Sequence, residues 1–409
     1  MLQFRLVFRY VLLAWMVAMA ALVFVQPSLG IAQSSSAPQN TAALKTALQH
    51  DLDTYLKERG AKEHFSSLSL SVSLGKAQPA INITAGTMRY GSGRPVMPDD
   101  LYQIGSNTKA FTAVAILQLE AQGRLSIDAP IGMYLPQYPA YAKLTLRKLL
   151  NMTGGIESYD NLPAWERMYV NDPVANVPAD TLIRLVYPKF KSTPGTQYSY
   201  SNTGYLLAQE VVAARSKSGS FATEIARIIS SVGLKNTYYT SHLYPKPVAE
   251  RVVAGYYEND DPGFGGFTGK DMSGYSLSWA QGAGSIVSTP EDLTVWVRAL
   301  YQGTTLLPEK QKRELLSLIS TKTAKPLPKP TADDPSGFGL GVAERFDPAL
   351  GTFWFYQGET LGFRAAHLYF PDSDLAVALF ANSRPVEKES KLPQLFAKIY
   401  ATIKEAEKH

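Results

Sequence analysis

The sequence predicts an α/β (α+β) fold. An antiparallel sheet, flanked by helices, is built from both ends of the chain, with an all-helical domain inserted between them. Two patterns support this prediction. Within residues 67–88 and 338–382, apolar residues alternate with polar ones or form short runs, which is typical of strands. Between these regions, apolar residues recur every three to four positions, which is typical of helices. The 409 residues are enough for one large or two medium domains.

The predicted helices follow from periodicity and from end signals. In the first of them, Thr41 to Arg59, an apolar residue recurs every four positions from Leu44 to Leu56. Thr289 and Pro290 open a helix that runs to Leu300, because threonine caps a helix and proline suits its first position. The other predicted helices are Ala110 to Gln122, Leu144 to Met152, Thr203 to Ala214, Phe221 to Val232, Leu307 to Ile319 and Leu392 to Glu405.

Strands and loops complete the predicted organisation. Residues 156–188 are rich in Pro, Asn and Asp and are interpreted as a partly helical lid. The sheet domain is predicted to comprise residues 41–115 and 280–409, and the mostly helical domain residues 116–279. The predicted strands are Ser67 to Leu74, Pro79 to Met88, Leu101 to Ile104, Phe338 to Arg345, Phe353 to Tyr356, Phe363 to Phe370 and Leu375 to Asn382.

Residues 1–32 have the pattern of a secretory signal peptide. Two arginines precede an apolar run from Tyr10 to Val25, and small residues follow it. The run is slightly long, so an uncleaved membrane anchor is the alternative. We expect cleavage between Gly30 and Gln33, with residues 33–40 as a polar linker. The protein is then predicted to be exported, periplasmic or secreted, with no stable membrane span after cleavage.

Composition excludes several functional classes. The formal net charge is +5, and loss of the two N-terminal arginines leaves 38 basic and 35 acidic side chains, a net charge of +3. So small a charge argues against a nucleic acid partner and against strong binding to anionic membranes. The chain has no cysteine, which excludes thiol catalysis, disulfides and cysteine-based metal sites. An exported protein without disulfides depends on its core for stability.

A candidate nucleophile lies where an extended segment turns into a helix. Ser106 precedes the helix predicted from Ala110, and Lys109, three residues later, lies on the same face of the first turn. A serine nucleophile needs such a neighbour, because a free serine is too weakly acidic to attack. The helix N-terminus adds a positive field where an oxyanion would form. The simpler interpretation is a capping serine followed by a solvated lysine.

The Ser-x-x-Lys pattern is weakly specific by itself. Ser73 and Lys76 repeat it at the end of a predicted strand, where the two side chains would point to opposite faces, so no function is assigned to them.

A second candidate segment places Tyr200 and Asn202 at a bend that leads into a helix. Tyr200 is either a half-buried packing residue or a phenolate-like general base close to Ser106, with the charge of Lys109 favouring the anionic form. Tyr-x-Asn occurs elsewhere in the chain, so this pattern has no weight alone. Asn202 would donate hydrogen bonds to a substrate amide and accept them from it.

Taken together and in order, several motifs resemble those of the serine beta-lactamase and penicillin-binding-protein superfamily. The similarity is greater to the class C beta-lactamase-like branch, which includes D,D-carboxypeptidases, D-amino-acid amidases and carboxylesterases. Each motif is modest alone, but their order and spacing are specific. The motifs are Gly105-Ser106-x-x-Lys109, Gly123 to Pro130, Leu144 to Gly155, Pro194 to Tyr205 and Gly282 to Leu293.

The resemblance implies the beta-lactamase/transpeptidase-like fold, with the site between the sheet and the helical domain. It implies that Ser106 is the acylated nucleophile, Lys109 its proton-relay partner, Tyr200 the base and Asn202 a ligand of the substrate amide. It implies no metal and no organic cofactor.

The third motif of the family departs from its usual form. The family has Lys-Thr-Gly or His-x-Gly on an inner strand, and this chain has Tyr356, Gln357 and Gly358 there. Gly358 would let the substrate lie against the strand, and the N–H groups of Ser106 and Glu359 would form the oxyanion hole. All four strand residues are therefore expected at the substrate. Tyr356 carries no positive charge, so a substrate carboxylate lacks its usual partner.

Arg364 is the alternative source of that charge, but we expect it to be a surface or structural arginine. Other catalytic classes are not supported. The chain has no Gly-x-Ser-x-Gly elbow and no His-Glu-x-x-His pair. The stretch from Gly265 to Lys270 has the wrong glycine spacing for a phosphate loop.

The sequence thus predicts an exported serine hydrolase that acts through an acyl-enzyme on Ser106. Its substrate is a small molecule or peptide, an ester or amide, as for a carboxylesterase, D,D-peptidase or D-aminopeptidase, with weak beta-lactamase activity as a further option. The alternative is a penicillin-binding-like sensor or ligand-binding protein that does not turn over, which the altered third motif suggests. The sequence does not indicate the oligomeric state.

Overall fold

The computed structural model describes residues 37–91, 93–261 and 263–408. The predicted signal peptide and the first part of the predicted linker lie outside these residues. Within them, no helix is both long enough and apolar enough to cross a membrane. The first helix begins at Ala37, inside the predicted linker at 33–40, and runs on to Glu63.

The described residues form helices and strands in an order close to the predicted one. The helices are α1 Ala37–Glu63, α2 Thr108–Ala121, α3 Leu146–Leu150, α4 Pro163–Asn171, α5 Ala179–Arg184, α6 Asn202–Arg215, α7 Phe221–Val232, α8 Lys246–Ala249, α9 Pro290–Tyr301, α10 Glu309–Leu316 and α11 Leu392–Ala406. The strands are β1 Ser67–Ser73, β2 Ile81–Gly86, β3 Tyr102–Gln103, β4 Tyr238–Tyr239, β5 Tyr256–Glu258, β6 Ile286–Ser288, β7 Ile319–Ser320, β8 Ser336–Phe338, β9 Ala343–Asp347, β10 Gly351–Glu359, β11 Arg364–Phe370, β12 Leu375–Ala381 and β13 Ser383–Pro385.

The main sheet confirms the predicted fold class. It has eight strands in the order β2-β1-β12-β11-β10-β9-β8-β7, and every neighbouring pair is antiparallel. Strand β1 from the start of the chain pairs with β12 from its end, with Leu70 opposite Leu379. The long, mostly helical region between β2 and β7 is therefore an insertion into one continuous sheet.

Each face of the sheet packs against different helices. On one face, alternate residues of β1, Leu68, Leu70 and Val72, share a core with apolar residues of α1 and α11. On the other face, α9 packs on β1, β11 and β12. The alternation of strand side chains produces these two cores, since successive residues point to opposite faces. The second core continues into the helical region around α2 and α6.

The local end signals account for several helix boundaries. The side chain of Thr289 accepts a hydrogen bond from the backbone N–H of Asp292, as expected of the residue that caps α9. The α7 helix spans the predicted residues, because Ser220 caps its start and Gly233 ends it in the left-handed conformation.

The predicted strand from Phe338 to Arg345 is wrong as a single element. The structure divides it into β8 and β9, which pair with each other across a tight turn in which the N–H of Gly339 donates to the carbonyl of Val342. Gly341 has a φ of +76°, and a Cβ there would lie 2.9 Å from the carbonyl oxygen of Lys109. Periodicity alone cannot show a turn that only a left-handed glycine permits.

Arg364 is a structural residue, as expected, and the alternative that it supplies a cation to the site is wrong. It is 1% exposed, and its Nη1 donates to Glu63 Oε2 at 2.9 Å. Its Nε donates to the carbonyl of Ser383 at 2.9 Å. Glu63, at the end of α1, also accepts from the hydroxyl of Tyr55 at 2.7 Å. This buried cluster joins α1, β11 and β13.

Removing Glu63 should destabilise the fold without altering the chemistry. Glu63→Ala leaves the buried guanidinium of Arg364 without its carboxylate, which we expect to lower the free energy of unfolding by about 3–5 kcal/mol. Urea unfolding measures this change. Glu58→Ala, at an exposed position of the same helix, should stay within about 0.5 kcal/mol of the parent protein. Equal effects of the two substitutions would contradict the importance of the buried pair.

Candidate active site

Ser106 lies in a single 3₁₀ turn, Gly105–Asn107, directly before α2. The preceding segment is extended, and the N–H of Ile104 donates to the carbonyl of Ile286 in β6 at 3.0 Å. The predicted change from extended chain to helix at Ser106 is therefore confirmed. Within the turn, the N–H of Asn107 donates to the carbonyl of Ile104 at 3.2 Å.

Two glycines let this turn lie directly on strand β10. Gly105 has a φ of +49°, and a Cβ there would lie 2.5 Å from the carbonyl oxygen of Glu359. A Cβ on Gly358 would lie 1.9 Å from the carbonyl oxygen of Ile104 and 2.7 Å from the nitrogen of Ser106. The nucleophile turn and the strand thus approach backbone to backbone, which any side chain at either glycine would prevent.

The structure brings the three predicted catalytic side chains together. Lys109 Nζ lies 2.9 Å from Ser106 Oγ, and the hydroxyl of Tyr200 lies 2.6 Å from the same oxygen. Lys109 is fully buried, whereas Ser106 is partly exposed. A reacting carbonyl can therefore reach the serine, while water cannot surround the amine.

The pocket around Lys109 is mostly aromatic. Its Nζ also donates to the carbonyl of Ala283 at 2.8 Å and lies 4.8 Å from the ring centroid of Tyr200 and 5.4 Å from that of Tyr205. The turn that carries Ala283 is held by α6, because Gln209 Oε1 accepts from the N–H of Gly282 at 2.7 Å. This turn lies in the predicted Gly282 to Leu293 motif.

Burial sets the protonation of the site. Loss of solvation lowers the pKa of Lys109 to about 7, and the carboxyl of Asp160 opposes that shift. Burial raises the pKa of Tyr200 above its usual value, and the charges of Asp160 and Glu359 add to this effect, although contacts with Ser106 and Tyr356 oppose it. The expected anionic form of Tyr200 is therefore disfavoured by its surroundings. A neutral Tyr200 beside a Lys109 that titrates near neutrality is the favoured state.

A neutral Lys109 completes a consistent set of hydrogen bonds. Its amine can accept the proton of Ser106 while donating to Ala283, and Tyr200 can donate its own proton to Ser106 Oγ. In this state Lys109 is placed to take the Ser106 proton, whereas the sequence predicts Tyr200 as the base. The assignment of Tyr200 as the base stays a prediction, as do the other residue roles.

Asn202 is held at the first residue of α6 with one side of its amide available. Its Nδ2 donates to Asp160 Oδ2 at 2.8 Å, and its backbone N–H donates to Ser158 Oγ at 2.8 Å. Asn202 Oδ1 is buried and has no hydrogen-bond partner among the described residues. Asn202 can therefore accept a hydrogen bond from a substrate N–H, while one of the two N–H groups of its amide already donates to Asp160.

Sequence reasoning missed Asp160. Burial raises the pKa of its carboxyl group, which hydrogen bonds from Ser158 and Asn202 oppose. The sequence predicts only a partly helical lid for the segment that contains it. The available signal was its position five residues after the Gly154-Gly155 pair that ends one of the family motifs.

The third-motif residues lie at the end of β10, beside the nucleophile turn. Tyr356 is 6% exposed, and its hydroxyl, which is near that of Tyr200, has no well-directed hydrogen bond in the described part of the chain. Gln357 Nε2 donates to Glu359 Oε1 at 2.5 Å. Because Gly358 packs against Ser106, the N–H groups of Ser106 and Glu359 lie on the two contacting segments, as the predicted oxyanion hole requires.

Trp165 of the predicted lid packs against Phe264, which lies outside it. Their ring centroids are 5.4 Å apart, and Trp165 lies 5.6 Å from Trp279. Tyr159, fully buried, donates to the carbonyl of Trp279 and links this aromatic cluster to the segment that holds Asp160. Tyr159 is therefore the connection between the cluster and that segment.

The described side chains do not form a metal site. Across residues 37–91, 93–261 and 263–408, no three His, Asp or Glu side chains converge as a metal site would require. His367 is buried, and burial lowers its pKa to about 3.

Comparison with known proteins places these features in a family. The profile of the family described as Beta-lactamase matches residues 52–399, which is most of the chain. The chain belongs to the beta-lactamase family. It is therefore a beta-lactamase-related serine hydrolase, as the motifs around Ser106 and Tyr200 predicted.

Relatives of this beta-lactamase-family protein include penicillin-binding proteins and amidases. It is 25% identical over 385 residues to the "Putative penicillin-binding protein PbpX" of Bacillus subtilis, covering 91% of this chain and 83% of that protein. It shares 22% identity and a TM-score of 0.71 with the D-amino acid amidase of Ochrobactrum anthropi SV3, covering 89% of this chain and 99% of the other. A D-stereospecific amidohydrolase from Streptomyces sp. shows 24% identity and a TM-score of 0.69, covering 88% and 98%. The last two likenesses show a common fold.

The rate of acylation should depend on pH through Lys109. Because burial lowers its pKa to about 7, the neutral amine that can accept the Ser106 proton increases as the pH rises through that value. We expect the rate of labelling by a fluorophosphonate to rise through an apparent pKa of about 7 and then to reach a plateau. Stopped labelling reactions between pH 5 and 9 measure it.

A second buried lysine provides the matched control. Burial lowers the pKa of Lys312 to about 8, and its Nζ donates to the carbonyl of Gly303, far along the chain from Ser106. Lys312→Met should leave the pH profile unchanged, whereas Lys109→Met should remove labelling. If the labelling rate of the parent protein did not rise near neutral pH, the assignment of that rise to Lys109 would be contradicted. A rise that is lost in Lys312→Met would contradict it as well.

Proposed function

We propose that this protein hydrolyses esters and amides through an acyl-enzyme on Ser106, and that neutral or amine-bearing substrates react better than those with a carboxylate. The observation that carries the proposal is the contact of Ser106 Oγ with both Lys109 and Tyr200, at 2.9 and 2.6 Å. A hydroxyl that has a proton acceptor and a donor within hydrogen-bond distance is equipped for nucleophilic attack.

The charges around the serine support this substrate class. Tyr356 stands where the family usually has a cation, and Arg364 is occupied by Glu63. The carboxyl groups of Asp160 and Glu359 both raise the pKa of Tyr200, so their negative field reaches the reacting centre. A substrate carboxylate would be repelled by that field, and a substrate ammonium group would be attracted.

Arg384 is the cation beside Glu359, and it is already paired. Its Nη1 lies 2.8 Å from Asp261 Oδ2, whereas its Nε lies 3.8 Å from Glu359 Oε2. One guanidinium thus faces two carboxylates, so the three side chains together carry a net negative charge. Arg384 does not offer a free positive charge to a substrate anion.

The available hydrogen-bonding groups also suit an amide. Asn202 Oδ1 is a buried acceptor without a partner among the described residues, and an amide N–H is the donor that it would need. The D-amino acid amidase of Ochrobactrum anthropi has been crystallised with L-phenylalanine amide, a small amide with a free amine. Amino-acid amides are therefore the first amides to test.

We also propose that the protein is exported. This proposal depends on the signal-peptide pattern in residues 1–32, with cleavage between Gly30 and Gln33. The alternative is an uncleaved anchor.

Covalent labelling tests both the nucleophile and the location. A fluorescent fluorophosphonate should label the protein in the exported fraction, with the mass of a chain that begins near Gln33. Ser106→Ala should abolish the label with a stability change within about 1 kcal/mol, since the Ser106 side chain makes no cap bond. Ser73→Ala, whose hydroxyl accepts from Arg298 at 2.8 Å, should still be labelled. A label that survives in Ser106→Ala, or a mass of the full chain, would refute the respective assignment.

A substrate panel tests the class. We expect turnover of short p-nitrophenyl esters and of phenylalanine amide, and about 10- to 100-fold weaker kcat/KM for nitrocefin, because a charge-assisted hydrogen bond contributes about 1.5–3 kcal/mol. Tyr356→Lys should raise reactivity toward nitrocefin relative to the esters. Permanent acylation without turnover of any substrate would favour the non-hydrolytic sensor instead.

An isosteric variant tests whether the charge of Asp160 contributes to the preference for amine-bearing substrates. Asp160→Asn keeps an oxygen for Asn202 but removes the charge, so the preference for phenylalanine amide over a neutral ester should fall about tenfold. Asp333→Asn, at an exposed position, should leave that ratio unchanged. An unchanged ratio in Asp160→Asn would show that the amine is not recognised there.

A further inference from the structure

Asn107, the residue after Ser106, makes an unusual set of contacts for a side chain in the first turn of a helix. It is 3% exposed. Its Nδ2 donates to the carbonyl of Ile104 at 2.8 Å and to that of Ala365 in β11 at 3.0 Å. Its Oδ1 lies 3.0 Å from Nδ1 of His367, also in β11. One amide therefore joins both ends of the nucleophile turn to the sheet.

These contacts determine the tautomer of His367. Two carbonyl oxygens surround one end of the Asn107 amide, so that end must be the NH₂ group and the other end the oxygen. An oxygen only accepts, so the proton of His367 is on Nδ1. Its Nε2 is then an acceptor and faces the hydroxyl of Tyr301 at 3.4 Å. His367 is buried and neutral, and it acts as a fixed donor.

The position of this pair in the sheet explains why it matters. In the register of β10 and β11, His367 lies opposite Tyr356 and Ala365 lies opposite Gly358. Strand β10 approaches the nucleophile turn backbone to backbone, at Gly358 and Glu359. Strand β11 contacts it through directional side-chain hydrogen bonds. The first contact limits how close the turn can come, and the second fixes its orientation.

We infer that Asn107 and His367 are positioning residues that hold Ser106 and its backbone N–H in the orientation required for acylation. Neither residue is a catalytic residue, because neither contacts Ser106 Oγ or the reacting atoms. The inference rests on the proposed function only in taking Ser106 as the nucleophile. It predicts an effect on the rate of the chemical step, since small misplacements of reacting groups cost large factors in rate.

The test compares variants that remove or keep the donor at Nδ1. His367→Leu removes it, and His367→Asn retains an N–H₂ group at nearly the same distance from the backbone. We expect His367→Leu to lower the single-turnover acylation rate with a p-nitrophenyl ester about 10- to 100-fold, with the KM changed less than about threefold. His367→Asn should recover most of that rate. Tyr301→Phe removes only the hydroxyl that faces Nε2 of His367, so its acylation rate should stay within about twofold of that of the parent protein.

A double-mutant cycle completes the experiment. Asn107→Ala should lower the rate at least as much as His367→Leu does, because it also removes the bonds to Ile104 and Ala365. The double variant should lose no more than Asn107→Ala alone, because His367 acts through Asn107. The pH limb assigned to Lys109 should remain in His367→Leu. Circular dichroism and thermal unfolding select the folded variants for these comparisons.

The outcomes separate this inference from the proposed function. If the parent protein is not acylated, the nucleophile assignment fails and the pair has nothing to position. If the parent protein is acylated, parent-like rates in folded His367→Leu and Asn107→Ala overturn the inference. The inference is equally overturned if His367→Asn does not recover the acylation rate, or if His367→Leu changes the KM rather than that rate. Loss of the rise in rate near pH 7 in His367→Leu would also overturn it.

Discussion

The site depends on a close backbone contact between the nucleophile turn and strand β10. Cβ atoms at Gly105 or Gly358 would fall 2.5 and 1.9 Å from backbone oxygens of the opposite segment. With glycine at both positions, the N–H groups of Ser106 and Glu359 can face the same space. The helix that starts after Ser106 packs in the helical region, and β10 belongs to the sheet, so this contact, together with the shared core, joins the two parts of the fold. The contacts of Asn107 with β11 reinforce it from the adjacent strand.

Burial of Lys109 is the second constraint, and it follows from the first. Once the turn lies on the sheet, the side chain three residues later is enclosed by Tyr200, Tyr205 and the Ala283 turn. A lysine without water holds its proton weakly, which lowers its pKa to about 7. The same burial raises the pKa of Tyr200. One cause therefore produces a proton acceptor and a proton donor on the two sides of Ser106 Oγ.

The substrate side of the site has a different electrostatic character from that expected of a carboxylate receptor. The neutral Tyr356, the paired Arg364 and the carboxyl groups of Asp160 and Glu359 all act in the same direction. Arg364 illustrates why proximity in sequence misleads here. It lies five residues after Glu359, but at the start of β11 its side chain enters the cluster with Glu63.

The sequence by itself determined the fold class, the order of most elements and the residues around the nucleophile. It did so because amphipathic periodicity, helix caps and short motifs are local properties, readable without knowing which segments meet. It did not determine the turn at Gly341, the partner of Arg364 or the role of Asp160, since each depends on which distant segments come into contact. The protonation states of Lys109 and Tyr200 also depend on which distant segments come into contact. From the sequence, the charge of Lys109 is expected to favour an anionic Tyr200, but only the tertiary structure encloses both side chains, and loss of solvation then favours the neutral form of each.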